Sequence, residues 1–239
     1  IILLASAALA LAVTAPALAN GGDGSAKGNG KGKDKGHETH KAKDRSKAKV
    51  TGFGGATLSK RGAVLVANTG NSSTADDFSG ITIPVKSSLT FGDIERLSAT
   101  FNVTDDDCGA GSPRFQIKVG GKNVFVALGP PGTLTGCEKN TWLRTGDLTE
   151  ATAAECRVDT SQFAPGTQCN SWAGAAALLG SQRVESITLV VDASWAGSTN
   201  PAFADKEQTV LVKNVSLNGK TYLAKHKRHH WKKWKDWDC

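Results

Sequence analysis

The feature that most constrains the fold is a series of short apolar runs between residues 50 and 223, separated by turn-forming residues. In residues 96–103, Leu97, Phe101 and Val103 occupy alternate positions, and Ser, Thr and Asn lie between the apolar residues. Successive side chains of a strand point to opposite faces of a sheet, so this alternation predicts a strand with one buried face. The repetition of such runs predicts an antiparallel β protein.

Further strands are predicted at residues 62–67, 80–85, 88–91, 114–119, 123–128, 184–192 and 208–217. The strands on either side of Gly120 and Gly121 are expected to form a hairpin, because that turn needs positive φ values, which glycine adopts at little cost. The last two strands are expected to pair through the loop around Trp195.

Residues 171–179 break this pattern, because they are rich in Ala and lack β-branched side chains. They predict a short helix with Asn170 or Ser171 as N-cap and Gly180 at its C-terminal end. Together the elements predict a mostly β fold, an antiparallel two-sheet sandwich of jelly-roll type with one short helix. A barrel is the structural alternative.

Residues 1–19 are largely apolar and end in an A-x-A pattern at Ala17 and Ala19. This predicts a signal peptide that is cleaved after Ala19, and therefore a secreted, extracellular protein. Residues 20–50 lack aromatic side chains and predict a disordered basic linker. The β-sandwich domain follows at 51–224, and a basic tail rich in Trp and His occupies 225–239.

Charge and histidine are concentrated outside the β domain. Residues 20–50 hold nine basic and four acidic side chains and residues 225–239 hold six and two, which leaves 14 and 16 for residues 51–224. All histidines lie in the terminal segments: His37, His40, His226, His229 and His230. The domain therefore lacks the base of a Ser-His-Asp or Cys-His site and the commonest zinc ligand.

Four cysteines lie inside the β domain: Cys108, Cys137, Cys156 and Cys169. Disulfides persist outside the cell, and four cysteines allow three pairings. We favour Cys108–Cys137, which fastens the loops on either side of the predicted hairpin, and Cys156–Cys169, which closes a short loop before the helix. A metal site is the alternative, although neither a C-x-x-C spacing nor a nearby histidine supports it.

Three segments resemble parts of uncharacterised secreted proteins of high-GC bacteria: NVTDDDCGAGSPRFQI at 102–117, LVVDASW at 189–195 and FADKEQTVLVKNV at 203–215. The resemblance covers most of residues 75–218 and implies an exported β-sandwich. The last segment is also similar in style to the final strands of jelly-roll carbohydrate-binding modules.

Candidate site residues lie in loops. Asp105, Asp106 and Asp107 are a candidate calcium site, because Ca²⁺ takes several loop oxygens, and a polar turn before a disulfide is the alternative. Trp142 and Trp195 lie in or beside loops rich in Gly, Ser, Thr and Asn, where they predict a shared face for sugar rings. The alternative for both is an edge tryptophan that covers the core. Trp172, on the helix, is assigned to the core.

The C-terminal tail places Trp231, Trp234 and Trp237 at every third residue among lysines. This predicts surface adhesion, through peripheral contact with a membrane or with anionic wall polymers, because indoles favour membrane interfaces and lysines favour anionic groups. A solvated tail is the alternative, and so is a transition-metal site formed by the tail histidines. Broad affinity for polyanions is assigned to the basic tails, and specific nucleic-acid recognition is not expected.

These observations predict a secreted non-catalytic binding module for glycans or cell-surface polymers, with no cofactor other than the candidate calcium. One alternative is a structural or matrix surface protein with no small ligand. The other is a glycoside hydrolase that uses paired carboxylates from Asp76, Asp77 or residues 105–107. Adjacent residues of a strand or turn point in different directions, so these groups do not by themselves form a catalytic pair.

Overall fold

The computed structural model describes residues 49–68, 78–109, 111–192 and 207–224, which belong to one unit of the chain. In this part of the chain, two antiparallel six-stranded sheets enclose one hydrophobic core. The predicted mostly β, two-sheet sandwich with one α-helix is confirmed. The jelly-roll type of connection stays a prediction.

The two sheets mix strands from early and late parts of the chain. Sheet A contains, in spatial order, β1 (Thr51–Gly54), β4 (Phe78–Ile83), β10 (Val184–Asp192), β6 (Arg114–Val119), β7 (Lys122–Ala127) and β9 (Val158–Asp159). Sheet B contains β2 (Thr57–Ser59), β3 (Gly62–Asn68), β11 (Glu207–Leu217), β5 (Leu97–Asp105) and β8 (Leu143–Arg144), while β12 (Lys220–Tyr222) pairs with β11. The strands at the ends of both sheets, β1, β9, β2 and β8, are only two to four residues long.

The core lies between the inward faces of the two sheets. The alternation in β5 places Leu97 and Phe101 in this core. In sheet A, Phe115 of β6 pairs with Leu189 of β10 on one side and Val126 of β7 on the other, and all three are fully buried. Inward and outward side chains therefore follow the sequence period of two.

The turn between β6 and β7 confirms the predicted hairpin. Gly120 and Gly121 occupy it with φ values of 55° and 76°, and the register pairs Val119 with Lys122. Both values lie in the left-handed region that side chains other than glycine adopt at a cost.

The helix α1 (Trp172–Leu179) begins after Ser171, whose hydroxyl accepts the Gly174 N–H. Trp172 is almost completely buried, and its ring stacks on Phe91 with the ring centres 5.0 Å apart. The predicted N-cap and the core position of Trp172 are both confirmed. No helix within the described residues is long and apolar enough to cross a membrane.

The strand predicted at residues 88–91 is wrong. Phe91–Asp93 instead form a 3₁₀ helix after Thr90, and Asp93 Oδ2 accepts the Thr90 N–H at 2.8 Å. The apolar side chain of Phe91 contributed to the strand prediction. In the structure this side chain packs the helical turn against Trp172.

The predicted pairing of residues 184–192 with residues 208–217 is also wrong. Strand β10 pairs with β4 and β6 in sheet A, whereas β11 pairs with β3 and β5 in sheet B. Strands in opposite layers of a sandwich carry the same alternation as paired strands, so periodicity does not distinguish the two arrangements. The loop around Trp195 lies outside the described residues.

Asp93 makes a contribution to stability that depends on pH. Its carboxylate accepts hydrogen bonds from the Thr90 backbone N–H and from the Thr90 hydroxyl, which lower the pKa of Asp93 from its usual value of 3.8. Because the folded-state pKa is lowered, this contribution is present above the unfolded-state pKa and is lost as pH falls through the folded-state pKa.

We expect Asp93→Asn to lower the melting temperature at about pH 7, and the difference from the parent protein to shrink at about pH 2.5. Thermal unfolding followed by circular dichroism measures both values. The control Glu95→Gln removes an exposed carboxylate two residues away and should leave the melting temperature at about pH 7 nearly unchanged. A loss for Asp93→Asn that is equally large at both pH values contradicts the prediction.

Candidate functional site

The four cysteines of the β domain form the two predicted disulfides, Cys108–Cys137 and Cys156–Cys169. Their Cα atoms lie 5.3 and 4.2 Å apart. The first bond joins the end of β5 to the loop before β8 and spans the β6–β7 hairpin. The second closes the short segment that contains β9 and precedes α1.

Asp107 holds the first disulfide in position. Its Oδ1 accepts the N–H groups of Cys108 and Cys137, both at 2.6 Å, and its Oδ2 accepts the Gly136 N–H at 2.9 Å. Hydrogen bonds to a charged acceptor are stronger than those between neutral groups. The carboxylate therefore links the turn at Asp107 to the loop at Gly136 and Cys137. This agrees with the alternative in which the three aspartates form a polar turn before a disulfide.

The other aspartates of this turn have different surroundings. Asp105 lies 3.5 Å from Lys139 Nζ and its Oδ1 accepts the Asp106 N–H, while Asp106 has a left-handed backbone with a φ of 58°. Calcium needs several oxygens directed at one point. Asp107, Cys108 and Cys137 lie close enough together to hold a metal ion, but the two cysteine sulfur atoms are bonded to each other. Calcium binding by Asp105, Asp106 and Asp107 stays a prediction.

Trp142 lies on the outer face of sheet B. Leu143, the next residue, pairs with the buried Phe101 and so points into the sandwich, which directs Trp142 outward. The Asn140 N–H donates to the Val103 carbonyl at 2.8 Å and fixes this loop along β5. Trp142 is 42% exposed, so its ring is available on the surface and does not simply cover the core.

A row of outward-facing residues crosses sheet B toward Trp142. The register pairs Thr57 with Val64, Val64 with Leu211, and Leu211 with Asn102. Trp142 lies one position beyond the β5–β8 pairs, opposite Asn102. Val64 is 36% exposed and Leu211 is half-buried, so aliphatic side chains lie on a solvent-facing surface where sheets commonly carry polar residues.

A cavity of about 500 Å³, which we call the Trp142 groove, lies over this row. It is lined by Thr57, Ser59, Arg61, Gly62, Ala63, Val64, Trp142, Leu211, Val212, Lys213 and Asn214. Lys213 Nζ lies 3.4 Å from the centre of the Trp142 ring, in a cation–π contact. The groove therefore combines an aliphatic floor, an aromatic wall, two cationic side chains and two hydroxyl groups.

Gly62 allows β3 and β11 to approach closely at one end of the groove. A Cβ added at this position would lie 2.5 Å from the carbonyl oxygen of Val212. A larger residue would therefore force the two strands apart and change the floor of the groove.

Several residues singled out in the sequence lie outside the described residues: Asp76, Asp77, Trp195, Trp231, Trp234, Trp237 and all five histidines. A face shared by Trp142 and Trp195 stays a prediction, as does adhesion through the C-terminal tail. The signal peptide predicted at 1–19 lies outside the described residues as well, as do residues 20–48 of the predicted linker.

The sequence interpretation missed the aliphatic floor of the groove. A signal for it was available, because residues 62–67 carry consecutive apolar side chains after Gly62. A strand with one solvated face needs apolar residues only at alternate positions, so Val64 and Val66 are the residues in excess.

In the described residues, one groove thus combines Trp142 with residues of three strands. The side chains that line the groove determine what it can bind. Comparisons of this chain with protein-family models, curated proteins and solved structures found no match.

Proposed function

We propose that the β domain is a secreted, non-catalytic module that binds glycans or related cell-surface polymers in the Trp142 groove. The observation that carries this proposal is the exposed Trp142 ring at the end of a row that contains the solvent-facing Val64 and Leu211. Contiguous exposed apolar side chains rimmed by polar residues mark binding surfaces. The C–H faces of sugar rings pack against such an indole.

Polar groups at the rim suit the hydroxyls and acidic substituents of a glycan. Arg61 and Lys213 supply positive charge, and Thr57 supplies a hydroxyl. Lys213 covers part of the indole, so the sugar packs against the remaining exposed area of the ring. A few polar groups around an apolar surface are the common composition of a small-ligand site.

The lining of the cavities favours binding over hydrolysis. Glycoside hydrolysis through side-chain acids uses two carboxyl groups that flank the bond to be cleaved. The Trp142 groove has no carboxylate among its lining residues, and another cavity of similar size, on sheet A, has only Asp159. A binding module therefore fits these described surfaces better than a carboxylate-dependent hydrolase does.

Extracellular location is part of the proposal. The apolar residues 1–19 have the composition of an export signal, and two disulfides suit an oxidising compartment. Polysaccharides of cell walls and matrices are the polymers available there.

We expect Trp142→Ala to weaken glycan binding at least about tenfold, because about 1.4 kcal/mol of aromatic packing corresponds to that factor. The full chain is first screened against an array of neutral and acidic polysaccharides. Isothermal titration calorimetry with the best binder then compares the variant with the parent protein. Trp142 lies outside the hydrophobic core, so the variant should remain folded.

Two control variants sharpen this test. Trp142→Phe keeps an aromatic ring and should retain more affinity than Trp142→Ala. Phe78→Ala removes an exposed ring, 45% accessible, from sheet A and should leave binding unchanged. The proposal is wrong if no polysaccharide binds, or if Trp142→Ala binds as tightly as the parent.

A further inference from the structure

A second cavity, of about 490 Å³, lies on the outer face of sheet A. Arg114 of β6 pairs with Ala127 of β7, and the Ala127 N–H donates to the Arg157 carbonyl beside β9. The small Ala127 therefore lies between two arginines, and the second disulfide lines the same cavity. Because Arg114 and Arg157 lie in one row across the strands, both cationic side chains reach this surface.

The two arginines differ in how their charge is compensated. Arg114 donates from both terminal nitrogens to the Asp192 carboxylate, with Nη1 at 2.7 Å from Oδ1, and its guanidinium lies 5.0 Å from the centre of the Phe125 ring. Arg157 uses only Nη1, which donates to the carbonyls of Ala127 and Leu128 at 3.2 Å. The charge of Arg114 is therefore paired with a carboxylate, whereas Arg157 donates only to neutral carbonyl groups.

Arg157 is only 8% exposed. Among the residues that the structure describes, no carboxylate oxygen lies within 4.0 Å of its guanidinium, and its Nε and Nη2 form no hydrogen bond. These two nitrogens are not sealed in the interior, so they reach solvent beside the cavity that Arg157 lines. Donors that reach solvent in this way can bind a ligand that enters the cavity.

Electrostatics agrees with this geometry. Burial lowers the pKa of Arg157, and the negative charge of Glu155 opposes that shift only in part. A buried charge without a close partner is costly, and guanidinium stays charged at physiological pH. An anion placed in the cavity would supply the missing partner.

We propose that this cavity binds a carboxylate-bearing ligand, whose two oxygens accept hydrogen bonds from Nε and Nη2 of Arg157. These two nitrogens form a planar fork that matches a carboxylate. Phe125 and Leu134 offer apolar contact to the body of the ligand. An acidic sugar and a simple carboxylic acid share this chemistry.

Nearby acidic side chains favour a monoanion over a dianion. Asp159 lines the same cavity, and its Oδ1 accepts the Ser161 N–H, while Glu155 is close enough to act on Arg157. A phosphate dianion would meet more repulsion from these carboxylates than a carboxylate would. The site lies on the sheet opposite the Trp142 groove and does not depend on the proposed glycan function.

The test uses the full chain labelled with ¹⁵N in about 0.15 M NaCl, which screens the basic tails. Nuclear magnetic resonance follows the Nε–H signal of Arg157 and the backbone amide of Ala127 during titration with acetate, glucuronate, glucose or inorganic phosphate. Both signals report locally, so anions bound to the tails do not contribute.

Saturable shifts with acetate and glucuronate, and none with glucose, are the expected result. Glucuronate that binds more tightly than acetate supports an acidic-sugar site, and equal affinities support recognition of the carboxylate alone. The proposal is overturned if neither carboxylate gives a saturable shift, or if phosphate binds as tightly as they do.

Variants then locate the site. Arg157→Lys keeps the charge but loses the fork, and we expect binding of glucuronate to weaken at least about tenfold, as measured at the Ala127 amide. Because this substitution also removes structural hydrogen bonds, Gln168→Glu provides an independent test at an exposed residue of the rim. The added negative charge should weaken binding, whereas Gln168→Ala and Trp142→Ala should not. Unchanged affinity in Gln168→Glu overturns the assignment.

Discussion

Replacing Phe115 by alanine is expected to lower the free energy of unfolding by about 3–5 kcal/mol. The ring is fully buried on β6, flanked across the sheet by the fully buried Leu189 and Val126. Its deletion removes apolar surface from the core and leaves a cavity that the close-packed neighbours fill only in part.

Phe125→Ala is the matched control, because Phe125 lies on the adjacent strand with its side chain on the outer face of the same sheet. It is only half-buried, and we expect a smaller loss, of about 1 kcal/mol. Urea denaturation measures both variants. Equal losses would show that Phe115 does not occupy the interior between the two sheets.

Removing the first disulfide with Cys108→Ala and Cys137→Ala is expected to cost about 3–4 kcal/mol. The bond joins residues separated by 29 positions, and opening it increases the conformational entropy of the unfolded chain. Alanine keeps the backbone N–H groups that donate to Asp107, but the loop loses its covalent anchor, and Trp142 follows Cys137 by five residues. We therefore expect glycan affinity to fall together with stability.

The pair Cys156→Ala and Cys169→Ala provides the comparison. It opens a segment with a sequence separation of 13, which predicts a loss of about 3 kcal/mol. Since this bond lines the cavity on sheet A, its removal should leave binding in the Trp142 groove unchanged. Urea denaturation and calorimetry separate the two effects. Loss of groove binding from both pairs alike would contradict a local anchoring role for Cys137.

The long strands were predictable because alternation over six or more residues is a strong signal. Strands β6 and β10 occupy the predicted ranges, 114–119 and 184–192. The short strands β1, β2, β8 and β9 were not predicted. Two to four residues give too little alternation to recognise, and their extended form depends on the longer strand beside each of them.

The assignment of strands to layers could not be read from local sequence. Strand β10 pairs with β4, which lies about a hundred residues earlier, although β11 is the next described strand in the chain. Pairing of this kind depends on long-range packing. Residues 88–91 show the same limitation, because the apolar Phe91 reaches the core from a 3₁₀ turn and not from a strand.

The candidate sites were predictable to different degrees. Trp142 was recognised because large aromatic residues are conspicuous in polar loops, whereas nothing in its neighbours marks Arg157. Its lack of an acidic partner arises from the placement of β7 and β9, and only the assembled sheet reveals it. The role of Asp107 likewise requires Gly136 and Cys137, which are remote in sequence.

The short strands at the ends of both sheets have a consequence for how copies of this domain meet. An exposed strand edge offers unpaired backbone N–H and C=O groups, along which a strand of another molecule can add and begin a fibre. In β1, β9, β2 and β8 only two to four residues are available for such addition. Such short end strands limit the number of backbone hydrogen bonds that a strand of another copy can form with each of them.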